Sequence, residues 1–84
     1  MEIVKMVVQT METYRTSDLY LSAYLKAKGL KLWDKHKTGD KFVFIFEDRD
    51  DRQQLVRDFF NDGMVSITVF KNAIQDLKTM VFNT

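Results

Sequence analysis

The stretch that most limits what this chain can fold into is Lys41 to Asp48, KFVFIFED. On a β-strand, Phe42, Phe44 and Phe46 point to one face and Val43 and Ile45 to the other, so neither face is suited to water. The pattern predicts a central strand covered on both sides. With only 84 residues in the chain, the cover has to come from the segments flanking that strand.

Those segments carry the signals of helices and of one hairpin. Thr16, Ser17 and Asp18 offer N-cap chemistry, and the run to Lys28 followed by Gly29 predicts a helix over about 17–28. Asp18, Ser22 and Lys26 form its polar wedge, one turn apart. Leu19, Tyr20, Leu21, Ala23, Tyr24, Leu25 and Ala27 fill most of the remaining circumference, so the helix is expected to be sandwiched, with Tyr20 and Tyr24 packed in the core. Leu30 to Lys37 reads as a strand that turns at Thr38, Gly39 and Asp40 into the central one, giving an antiparallel hairpin over about 30–37 and 41–47. Leu30 and Leu32 are expected inward, with Lys31, Trp33, Lys35 and Lys37 sharing the opposite face.

Asp48 is expected to cap a helix over about 49–61, with Asp50 and Asp51 in its first turn. Ser66 is expected to cap a last helix over about 67–81, whose apolar stripe is Ile67, Phe70, Ala73, Ile74, Leu77, Met80 and Val81. Residues Glu2 to Glu12 are β-branched enough to suggest a further strand over about 3–9. The fold class that results is α+β: a small antiparallel sheet packed with three helices. One domain spans 1–84, with 1–13 as an N-terminal extension or arm and 14–82 as the core.

Composition narrows the function by exclusion. The chain has no cysteine, so it carries no disulfide framework, thiolate nucleophile or thiolate metal site, which fits a cytoplasmic setting. No apolar run reaches the roughly 18 residues of a membrane span. His36 is the single histidine and has no acid placed to orient it, so it is not expected to be a general base. Glu47, Asp48, Asp50 and Asp51 superficially suggest a calcium loop. Counted from Asp48, however, Gln53 holds the position that needs glycine and Phe59 the one that needs glutamate, so no metal site is expected. The glycines stand singly at element ends, which leaves no phosphate cradle. No catalytic residue, cofactor or small-molecule substrate is expected.

The charge layout is more informative than the net charge of +1. Tyr14 to Lys41 is rich in lysine and arginine, while Phe42 to Gly63 is rich in acids. The candidate surface for a nucleic-acid or other partner is therefore Arg15, Lys26, Lys28, Lys31, Trp33, Lys35, His36, Lys37 and Lys41. On this reading lysines meet phosphates while Trp33 either offers a stacking surface or lies clamped beneath lysine stems.

TSDLYLSAYLKAKGLKL, FVFIFED, LVRDFFNDG and FKNAIQDLK together resemble a small family of bacterial, archaeal and phage proteins catalogued as a domain of unknown function. The resemblance covers Tyr14 to about Val81. It rests on Thr16, Ser17, Asp18, Leu25, Gly29, Phe44, Phe46, Glu47, Asp48, Val56, Phe59, Phe60, Asn61, Leu77 and Lys78, and implies a fold without bringing an activity. The leading expectation is a non-enzymatic protein-interaction module, self-associating as a dimer. The alternative is a nucleic-acid-binding module that uses the basic hairpin face.

Overall fold

A computed structural model describes residues 12–82. It contains β1 (Thr13–Thr16), α1 (Leu19–Ala27), β2 (Leu32–Thr38), β3 (Lys41–Glu47), α2 (Arg52–Phe59) and α3 (Ile67–Phe82). The strands form one antiparallel sheet in the order β1-β3-β2, so the phenylalanine-rich strand is central. The α+β class, the hairpin and the three helices are as expected. The strand anticipated over 3–9 lies outside the described residues, and the third strand of the sheet is Thr13–Thr16, inside the stretch read as the approach to α1.

Phe44 and Phe46 lie on the helix-backed face and form one core with Leu21, Ala23 and Leu25 of α1, Leu30, Leu55 of α2, and Ala73 and Leu77 of α3. Burying each of the larger of these side chains contributes about 1.5–3 kcal/mol. Ile45 is also buried, at 6% exposure, and Val43 is half-buried. Neither belongs to the helix-backed cluster. The two faces of β3 are thus protected differently: helices cover one, and among the described residues no helix adds a buried side chain to the other.

α1 buries Leu21 through Leu25 without interruption, as a sandwiched helix must. Two expectations for it fail. Ser22 is fully buried and does not face solvent. It lies one turn before Lys26, whose Nζ is 3.8 Å from Asp76 on α3, so the stripe meant for water runs beneath α3. Tyr20, expected in the core, is exposed.

The ends of α1 follow their sequence signals. Asp18 accepts a hydrogen bond from the Leu21 amide at 3.0 Å. At the other end Gly29 (φ 95°) donates to the Lys26 carbonyl and Leu30 to the Leu25 carbonyl, closing a Schellman turn that drops Leu30 into the core. Arg49 completes this end, donating to the Gly29 carbonyl oxygen at 3.2 Å.

α2 starts later than expected, at Arg52, because Asp48 does not cap it. The Asp48 carboxylate accepts instead from the Arg49 amide at 2.9 Å and from Arg52 Nε at 3.0 Å. The Arg52 guanidinium also stacks 4.2 Å from the centre of the Tyr14 ring, which ties α2 to the edge strand β1. Ser66 does cap α3, accepting from the Val69 amide at 3.3 Å. Ile67, placed in the apolar stripe of that helix, is exposed because it precedes the first turn that reaches the core.

Candidate functional site

The basic hairpin does not present the single face its alternation implies. From Thr38↔Lys41 to Asp34↔Ile45 the ladder is regular, but Leu32 pairs with Phe46, so one extra residue, Trp33, enters the β2 strand. Such a bulge reverses side-chain phase along the strand. Lys35 and Lys37 therefore lie opposite Phe44 and Phe42 on the helix-backed face, while Asp34 and His36 lie opposite Ile45 and Val43 on the other. This corrects the expectation that Lys31, Trp33, Lys35 and Lys37 share a face.

The remaining candidates are dispersed. Arg15 pairs across β1 with Ile45, on the same face as Asp34 and His36. Lys26 is tied to Asp76, and Lys28 sits with its Nζ 5.6 Å from the Tyr24 ring. Lys31 is exposed beyond the C-terminal end of α1, and Lys41 is exposed at the hairpin turn. Trp33 is 55% exposed. The Lys37 Nζ likewise lies over an aromatic ring, 5.8 Å from the centre of Phe42.

Two features escaped the sequence reading. The first is an apolar corner joining α2 to α3, where Phe60, Met64 and Ile67 are 65%, 80% and 75% exposed. A signal existed: Phe59 and Phe60 are adjacent, and one helical face cannot take both. Phe59 packs on the core and on Tyr24, with ring centres 5.5 Å apart, which leaves Phe60 outside, edge-on to Phe59 at 4.9 Å.

The second is a cleft of about 230 Å³ at the hairpin end of the core, lined by Ser17, Leu19, Phe42, Phe44, Lys78, Val81 and Phe82. It is assembled from three distant segments, so no local motif announces it. Two more open hollows flank the C-terminal end of α1, one against Met64 and Val69 and the other against Leu32 and Met80.

Burial, and secondarily the charge of Asp58, raises the pKa of the Tyr24 hydroxyl. The Arg49 guanidinium, bonded to Asp51 at 2.9 Å, lowers the pKa of that carboxyl. Among the described residues no group of three or more His, Asp or Glu is placed to hold a metal ion, and no helix is long and apolar enough to cross a membrane.

These elements define a small α+β domain with a three-stranded antiparallel sheet backed by three helices. The chain belongs to the family described as a domain of unknown function (DUF5659), which matches residues 11–83. Comparison with curated proteins and with solved structures gave no match.

Proposed function

We propose that the domain is a non-enzymatic protein-interaction module that pairs with a second copy of itself through the corner between α2 and α3, in the cytoplasm. The observation that carries this reading is the exposure of Phe60, Met64 and Ile67 within a few residues of each other. Large apolar side chains grouped in this way mark contact surfaces, and aromatic residues and methionine are enriched in interface cores. A net charge of +1 leaves little repulsion between copies. A two-fold arrangement would set the same corner of each copy against the other.

Size-exclusion chromatography with light scattering tests it. The native chain is expected to run as a dimer and the Phe60→Ser/Met64→Ser variant as a monomer with unchanged circular dichroism. A native chain that stays monomeric as its concentration is raised overturns the proposal.

Nucleic-acid binding is the second reading, supported by the exposed Trp33 ring, the exposed Lys31 near it in sequence and the exposed Lys41 at the hairpin turn. It is the weaker one because the bulge divides the lysines between two faces. Fluorescence anisotropy against single-stranded and duplex DNA would reveal it through a salt slope of about −0.9 per phosphate neutralised on duplex.

A further inference from the structure

We propose that the cleft at the hairpin end binds a small apolar monocarboxylate, its hydrocarbon part against Leu19, Phe42, Phe44 and Val81 and its carboxylate at Lys78 and the Ser17 hydroxyl. The volume of about 230 Å³ falls below the roughly 300–1,000 Å³ of drug-sized sites, which sets the ligand as a small one. The lining is mostly hydrocarbon and aromatic, so an apolar body is favoured.

Among the described residues that line the cleft, the charged one is Lys78. Lys78 has no ion-pair partner among the described residues, whose ion pairs are Lys26–Asp76, Arg49–Asp51 and Arg52–Asp48. A second ammonium, that of Lys37, stands 5.8 Å from the centre of the Phe42 ring that lines the cleft. Asp18, next to Ser17, has its carboxylate engaged by the Leu21 amide. One lysine and one hydroxyl suit a monoanion; a phosphate group, with more charge and more acceptor oxygens, calls for a larger set of donors.

The experiment is an amide-resolved NMR titration of the full chain with octanoate, with octylamine and octan-1-ol as comparators of the same body. Octanoate is expected to give saturable shifts centred on Leu19, Phe44, Lys78 and Val81. Octylamine, and octanoate on the Lys78→Gln variant, are expected to bind about tenfold more weakly, the equivalent of about 1.4 kcal/mol. Lys78 is exposed, so the variant is expected to fold as the native chain does. The absence of saturable shifts with octanoate overturns the proposal, as does equal binding of octylamine or an unchanged affinity in Lys78→Gln.

Discussion

Gly63 packs so tightly over Tyr24 that a Cβ at position 63 would collide with the Tyr24 hydroxyl oxygen, and it would lie 2.7 Å from the Asp58 carbonyl oxygen. The Gly63 amide donates to that same carbonyl at 2.7 Å, so the turn that ends α2 is closed directly against α1. Gly63→Ala is therefore expected to destabilise the fold by about 1–3 kcal/mol, as overpacking does. For a domain of this size that lowers Tm by about 4–8 °C per kcal/mol, measurable by thermal denaturation. Adding Tyr24→Phe should restore only part of the loss, since the clash with the Asp58 carbonyl remains.

The buried Tyr24 also gives stability a dependence on alkaline pH. Its pKa is raised in the folded chain, chiefly by burial and then by Asp58, so the neutral phenol is the form that the fold favours. The contribution is complete below the unfolded tyrosine value of about 10 and is lost as pH rises from there through the folded value. Urea midpoints followed from pH 8 upward should fall in that window, less steeply in Tyr24→Phe. An equal fall in both proteins would remove Tyr24 as its source.

Arg49→Ala is expected to loosen the junction between α1 and the β3–α2 loop. It removes the hydrogen bond to the Gly29 carbonyl at 3.2 Å, with the longer contact to the Lys28 carbonyl at 3.5 Å, for a loss of about 0.5–1.5 kcal/mol. The Asp51 carboxyl, held low by the same guanidinium, should move back up to the ordinary carboxylate range in a carbon-detected NMR titration. In the native chain this contribution is present above the ordinary carboxylate value and lost as pH falls through the depressed one.

Ser22→Ala is expected to leave stability unchanged or raise it by up to about 1 kcal/mol. The Ser22 Oγ is buried and, among the described residues, has no hydrogen-bond partner, which costs free energy that a methyl group does not. Alanine is also the better helix former. A marked loss on denaturant unfolding would show that the hydroxyl has a partner.

Much of the fold is legible in the residues because its signals are local. The strands either side of Gly39, the cap at Asp18 and the turn at Gly29 all lie within a few residues of the groups they organise. Features set by distant partners were not. Thr13–Thr16 has a single large apolar residue, Tyr14, and becomes a strand only by pairing with β3. In LKLWDKHK the alternation falters where Trp33 follows inward Leu32 and Asp34 takes the next inward position; that local mark coincides with the bulge, and the reversal itself shows only against Phe46 and Ile45. That one unpaired residue separates Lys31 from Lys35 and Lys37, while Arg15, Lys26 and Lys28 lie on other elements. Ser17 offers cap chemistry and Lys78 falls outside the apolar stripe of α3, so neither signals a cleft locally; Phe42, which brings them into one, comes from a third segment.

The central place of β3 also orders the assembly of the chain in time. During synthesis β1 leaves the ribosome before α1 and the hairpin, yet its partner strand is the last of the three to emerge. The hairpin can close over a short loop as soon as Glu47 is out, whereas β1 must be carried back across a whole helix. Of the three described strands, the first to be made is thus the last to be zipped into the sheet, and Tyr14 finds its stack on Arg52 only when α2 has followed.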